Sequence, residues 1–377
     1  MLMNGIYIHI PFCKKVCYYC DFHFTVSLKL KDKVVKCIGE ELFKRKDYLP
    51  SKIIETIYFG GGTPSILNVE EVSSFLNLIH KHFSVSGNPE ITLEANPDDI
   101  TPEYLSGLKA IGVNRLSIGI QSFADEDLQW MNRRHSASEA IYSIKLAQDA
   151  GFHNMNLDLI YGLPNLTTDR WKNNLDTFLS LQVPHLSAYH LTVEPKTVLG
   201  YYKRKGKMRE IDEKDSIAHY NYLVETMKAN DYLHYEISNF CTEGNYSKHN
   251  TNYWKQGTYL GLGPSAHSYN GHSRQWNVSV NSNYIEALEN DQNYFEIEHL
   301  TEHERFNDYL LTHLRTTWGA NFEEIRSQFG IKYTNHLQKE LEKYSHSPLI
   351  TITNEAMSLT DQGMFVSDRI ISELFIV

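Results

Sequence analysis

Cysteine is scarce in this chain, five residues in 377, which excludes a fold built on disulfides, since domains that depend on such bonds are far denser in cysteine. Apolar runs are short as well: none approaches the roughly 20 residues that a membrane-crossing helix needs. The stretch from Met1 to Pro11 has neither the charged opening nor the long apolar centre of a secretory signal, so a cytoplasmic protein is expected. Basic residues are outnumbered, 36 Lys+Arg against 46 Asp+Glu for a net charge of −10, which argues against nucleic acid as a partner. The one dense basic run, Lys203-Arg204-Lys205-Gly206-Lys207, reads as a solvated loop. What is present is globular material: 41% hydrophobic and 12% aromatic residues exclude wholesale disorder. At roughly 150 residues per domain, the length predicts two or three domains.

The first half repeats one unit. Ile6–Ile10, Ile53–Phe59, Glu90–Glu94, Arg115–Ile120, Asn156–Tyr161 and Leu186–Leu191 read as strands. Helical patterns lie between them, punctuated by Thr101-Pro102 as cap and first helical residue and by the capping box Ser136-Ala137-Ser138-Glu139. β-α units in series require a parallel sheet with helices outside. Each strand runs into something chemically unusual: Cys13, Gly60-Gly61-Gly62-Thr63-Pro64, Glu94-Ala95-Asn96-Pro97, Gln121-Ser122, Asp158 into Tyr161-Gly162, and His190 with Thr192. Six special ends at one rim favour an α/β fold of the partial (βα)6 TIM-like barrel type over a doubly wound sheet, which concentrates its chemistry at one switch point. We expect this barrel over residues 1–235, an aromatic, glycine-rich connecting segment over 236–298, and a small, mainly helical, winged-helix-like domain over 299–377. In that tail Ile350–Ile352 reads as a strand and Thr360–Phe375 as a helix.

Three of the five cysteines form Cys13-x3-Cys17-x2-Cys20 with no fourth nearby. A cubane iron–sulfur cluster is ordinarily held by four thiolates. Three leave one iron open to the amino and carboxylate groups of S-adenosylmethionine. The alternative is zinc, but structural zinc wants four ligands at C-x2-C spacings, and His9 and His23 supply no such pattern. Cys37, on an apolar helical face, and Cys241 read as inert buried thiols.

The triad after a first strand and the glycine run after the second resemble the radical S-adenosylmethionine superfamily. The chain is most similar to its branch of oxygen-independent coproporphyrinogen dehydrogenases and haem chaperones, over essentially its full length. The resemblance implies a [4Fe-4S] cluster on Cys13, Cys17 and Cys20, with Tyr7 and Tyr19 packed near it. It implies cofactor contacts from Gly61, Gly62, Thr63, Glu94, Gln121, Arg133 and Asp158; for the arginine, Arg134 next door is an equal candidate by sequence.

Within the branch, dehydrogenases carry an N-terminal extension and a fourth cysteine two residues after the triad. Here twelve residues precede Cys13, and Phe22 holds that position. Both departures favour the chaperone side, as does His249-Asn250-Thr251-Asn252-Tyr253-Trp254, which matches its His-Asn-x-x-Tyr-Trp pattern. His249 is thereby a candidate haem ligand and Cys241 a lesser one, the alternative for His249 being a hydrogen-bonded structural corner. The resemblance implies a cytoplasmic chaperone that binds haem and hands it to an acceptor protein, with a membrane-associated acceptor, an electron donor for the cluster and a homodimer as further expectations. The alternatives are a radical coproporphyrinogen III dehydrogenase and a scaffold that merely retains the cluster.

Overall fold

The computed structural model describes residues 3–377; residues 1 and 2, the start of the expected first domain, lie outside the described residues. Strand β1 (Asn4–Ile10) alternates. Ile6, Ile8 and Ile10 are fully buried in one apolar core with Val34, Ile38 and Leu42 of the helix Lys31–Lys44, so Tyr7 and His9 face the opposite side. The same unit recurs through β2 (Ile53–Gly61), β3 (Ser84–Ala95), β4 (Arg115–Gln121), β5 (Met155–Tyr161) and β6 (His185–His190). Each pairs in parallel with the one before it. Several connecting helices start on sequence-encoded caps. Asn68 and Ser136 each form a capping box with the glutamate three residues on, and Thr101 caps Pro102–Ala110, contacts worth about 1 kcal/mol apiece.

Beyond β6, the segment expected to connect two domains instead extends both edges of the sheet. β7 (Leu233–Glu236) and β8 (Asn239–Cys241) add antiparallel strands beside β6. β9 (Thr258–Leu262) lies parallel to β1 at the other edge, followed by antiparallel β10 (His267–Tyr269), β11 (Ser273–Asn277) and β12 (Phe295–His299). The result is one 12-stranded sheet in the order β12-β11-β10-β9-β1-β2-β3-β4-β5-β6-β8-β7. Strand-like Tyr232–Ile237 holds β7, whereas β8 to β12 have three to five residues, too few for a period-two pattern to stand out. Gly261 shows how tightly they pack: a Cβ there would lie 1.9 Å from the backbone oxygen of His267.

The C-terminal part has its own apolar cluster, including Phe306, Leu310, Ile325, Leu337 and Met357. It combines helices Glu302–His313, Phe322–Phe329 and Ile331–Leu341 with a small antiparallel sheet of β13 (Ala320–Asn321), β14 (Ile350–Ile352) and β15 (Ala356–Leu359), in the order β13-β15-β14. The single helix expected over Thr360–Phe375 is two, Asp361–Phe365 and Ser367–Ser372, because Val366 leaves helical geometry at φ −118°, ψ 26°. Among the described residues no helix is long and apolar enough to cross a membrane.

Candidate functional site

The six parallel strands end at a common cavity of about 360 Å³. Cys13 from the loop after β1, Gly62 after β2, Glu94 of β3, Gln121 of β4, Asp158 of β5 and His190 of β6 all line it. In a flat sheet β1 and β6 would stand roughly 24 Å apart, five strand spacings. Sharing one small cavity requires the sheet to curl, as a partial barrel does.

The cysteine loop is fastened at several points. Cys13 N–H bonds the Thr25 carbonyl at 3.0 Å, Tyr18 N–H the Met131 carbonyl at 3.1 Å, and the Asn132 side chain donates to the Val16 carbonyl at 2.7 Å. Lys14 pairs with the carboxylate of Asp99, which also accepts from Ser65 Oγ at 2.6 Å. All three triad thiols are half-buried and line the cavity. Among the described residues no three His, Cys, Asp or Glu side chains converge on one point as ligands to a single ion would. Burial pushes the Cys13 thiol up to about 12 and Cys20 up to about 11, so taking up iron there must expel protons.

Between the two arginines left open by sequence, the backbone decides. Asn132 adopts a left-handed conformation, φ 63°, and the chain then turns Arg133 inward while Arg134 pairs with Asp98 at 3.0 Å. Arg133 reaches Cys17 Sγ at 3.3 Å, the Gly119 carbonyl at 2.6 Å, Asn96 Oδ1 at 2.8 Å and Tyr19 Oη at 3.5 Å. Its Nε is buried without a partner among the described residues. Asn96 braces the site from the other side, donating to Thr63 Oγ1 at 3.2 Å, and Thr63 donates to Cys13 Sγ at 3.3 Å. Asn96 was absent from the expected contacts, although its place at the end of a strand with a special terminus was the signal.

The glycine run has a reason within the protein itself. Gly62 N–H bonds the Ile10 carbonyl at 2.8 Å, and a Cβ on Gly62 would lie 2.7 Å from Phe12 O and 2.9 Å from Ile10 O. Gly61, at φ 110°, would put a Cβ 2.8 Å from the His9 ring. The run lets β2 close against the root of the cysteine loop. At the end of β4, Gln121 takes φ 70° where the register with β5 slips by one residue. Such bulges re-aim side chains beside functional sites, and Gln121 lines the cavity.

Two carboxylates complete the floor. Burial raises Glu94 to about 7 and Asp158 to about 6, against hydrogen bonds from Tyr58 Oη (2.7 Å) to Glu94 and from Asn156 Nδ2 (2.6 Å) to Asp158. The cavity thus combines three thiols, two carboxylates, the Arg133 guanidinium and the Lys15 ammonium. A [4Fe-4S] cluster and a sulfonium-bearing amino acid fit this donor set, thiols for irons and carboxylates for cationic groups, with Arg133 left to meet a carboxylate.

The other expected residues lie elsewhere. Tyr7 does not line the cavity; it stacks on Tyr58 at 6.1 Å and its hydroxyl meets His9 Nδ1 at 3.1 Å. His249 is 1% exposed, and both ring nitrogens are taken, Nδ1 by Thr56 Oγ1 at 2.8 Å and Nε2 by Tyr253 Oη at 2.7 Å. The ring stacks on Tyr58 at 5.0 Å, and its backbone N–H, with that of Lys248, bonds the Glu90 carboxylate. With no free lone pair and no open face, His249 is not placed to ligate haem; it plugs the barrel interior. Cys241 is fully buried in β8 between β6 and β7, its thiol pushed up to about 12 by burial. It too is closed to a ligand.

Comparison with known proteins places the chain in a family. The Radical SAM superfamily profile matches residues 7–178 and the HemN C-terminal domain profile residues 300–366. The chain is 33% identical over 371 residues to the heme chaperone HemW of Bacillus subtilis (98% of each chain) and 30% identical over 373 residues to that of Lactococcus lactis (99% of this chain, 97% of the relative). Coproporphyrinogen III oxidase (HemN) from Escherichia coli shares the fold, with a TM-score of 0.86 at 21% identity over 99% of this chain and 90% of that one.

Proposed function

This chain belongs to the HemW family of the radical SAM superfamily, and from that premise we propose that it is a haem chaperone, binding haem and passing it to an acceptor protein in the cytoplasm. The carrying observation is the full-length identity to proteins named heme chaperone HemW. Cys13, Cys17 and Cys20 hold the cluster. Thr63 and Arg133, each within 3.3 Å of a triad sulfur, stabilise thiolate charge. Glu94, Gln121 and Asp158, which line the same cavity, would face S-adenosylmethionine. When bound, the cluster supplies one-electron reducing power beside the sulfonium; an electron donor is the implied partner. The residues of this chain would position that cofactor against the cysteine loop.

The test is to reconstitute the cluster anaerobically and supply ferric haem and coproporphyrinogen III separately. The chaperone reading expects stoichiometric haem uptake, transfer to an apo-acceptor, and no decarboxylated porphyrinogen. Cofactor-dependent decarboxylation without haem uptake would replace it with the dehydrogenase.

A further inference from the structure

A second, larger cavity, about 590 Å³, lies between the sheet and the C-terminal part, within the usual size of small-molecule sites. Its walls are aromatic: Trp254 and Tyr269 come from the sheet side, Trp318 and Phe329 from the C-terminal side. Two cations sit on it. Lys255 Nζ lies 4.4 Å from the centre of the Trp318 ring and the Arg305 guanidinium 5.7 Å from that of Phe329. Neither side chain has an ion-pair or hydrogen-bond partner among the described residues. Among the described residues the lining holds one carboxylate, Glu324, which accepts from Tyr309 Oη at 2.9 Å.

His313 lines the same cavity at the end of the helix Glu302–His313. Its Nδ1 bonds the Tyr309 carbonyl at 3.0 Å. A carbonyl only accepts, so Nδ1 carries the proton and Nε2 keeps its lone pair. No group among the described residues bonds Nε2. The ring is held flat against Tyr309, centroids 3.8 Å apart and planes at 21°, and Tyr309 is itself pinned by Glu324 and by Asn321 N–H at 3.1 Å. An imidazole oriented through its other nitrogen, with one lone pair free, is the arrangement metal-ligating histidines use.

Flat aromatic walls, two unpaired cations and a preset imidazole match a planar, iron-centred macrocycle that carries carboxylates. We propose that this interdomain cavity is the haem site, with His313 as the axial ligand and Lys255 and Arg305 meeting the propionates. The inference rests on the reading of the chain as a haem binder and assigns that function a place. It also divides the His-Asn-x-x-Tyr-Trp motif: His249 and Tyr253 hold the barrel interior, while Trp254 turns out to face the haem.

The experiment is a ferric haem titration of the full-length, cluster-reconstituted protein, followed by Soret absorption and low-temperature electron paramagnetic resonance. Wild type is expected to bind one haem with a nitrogen axial ligand. His313→Phe keeps the stack on Tyr309 but removes the lone pair; it is expected to weaken binding on the order of tenfold or more and to shift the Soret band. His313→Gly with added imidazole is expected to recover the wild-type spectrum. Arg305→Glu, at the rim, is expected to weaken affinity while leaving the axial-ligand spectrum unchanged. Wild-type haem binding that His313→Phe leaves unaltered in affinity and spectrum overturns the site while the chaperone reading stands. A wild type that takes up no haem overturns both.

Discussion

Glu94 offers the sharpest quantitative test of the cofactor cavity. Its carboxyl is raised from 4.5 to about 7, first by burial and then by the charge of Asp158 in the same cavity, against the Tyr58 hydrogen bond. Between those values the folded protein holds a proton that the unfolded chain has lost. The stability linked to Glu94 is therefore fully present below about pH 4.5 and is lost as pH rises through about 7. A shift of this size corresponds to roughly 3 kcal/mol. Glu94→Gln keeps an oxygen to accept from Tyr58 and removes the titration. In the cluster-free protein, the stability difference between variant and wild type, read from guanidinium unfolding at pH 5 and pH 8, should move by roughly 3 kcal/mol in favour of the variant at the higher pH. Any pH-independent loss from the amide's altered hydrogen bonding cancels in that comparison. S-adenosylmethionine should bind wild type more tightly as pH rises through 7, since ionised Glu94 then faces the sulfonium, and the variant should lack that rise. A variant whose stability follows the same pH course as wild type would show that Glu94 is not held protonated by the cavity, and the account of its burial would fail.

Gly62→Ala drives a Cβ to within 3 Å of two backbone oxygens at the root of the cysteine loop; anaerobic reconstitution should then retain far less iron and sulfide per chain. Asn96→Ala removes the brace between Arg133 and Thr63 and should destabilise the protein by about 1–3 kcal/mol, with a shifted cluster absorption band. His249→Phe leaves the Thr56 and Tyr253 hydroxyls unpaired inside the barrel, so unfolding should come about 2–4 kcal/mol earlier while the Soret spectrum of the folded fraction stays at its wild-type position.

What the sequence disclosed and what it withheld divide along a physical line. The six strands, the caps at Thr101 and Ser136, and the chemistry at each strand end are local: apolar alternation, a hydroxyl before a helix, cysteines four and three positions apart. They appear in the structure where expected, and the parallel order follows because β-α units leave few alternatives. β9 was invisible because five residues with a glycine at Gly261 carry no readable period, and its pairing partner β1 lies some 250 positions away. The choice between Arg133 and Arg134 turned on one left-handed residue, Asn132, which residue chemistry permits but does not demand.

The histidine motif shows the deeper limit. Residue types state which bonds a side chain can make, and His249 beside Tyr253 and Trp254 suits a buried hydrogen-bond relay as well as it suits haem. Burial and lone-pair occupancy decide between them, and both are set by contacts with Thr56 and Tyr58 on a strand nearly two hundred residues earlier. His313 is the converse case. Nothing around it in sequence marks a ligand, because its qualification comes from a carbonyl one helical turn back, a stacked tyrosine, and aromatic walls supplied by two separately packed parts of the chain. A ligand that must be both held and released is well served by a seat shared between two such parts: a small change in their separation alters the aromatic contact on both faces at once, whereas a seat inside the barrel would require the sheet to open.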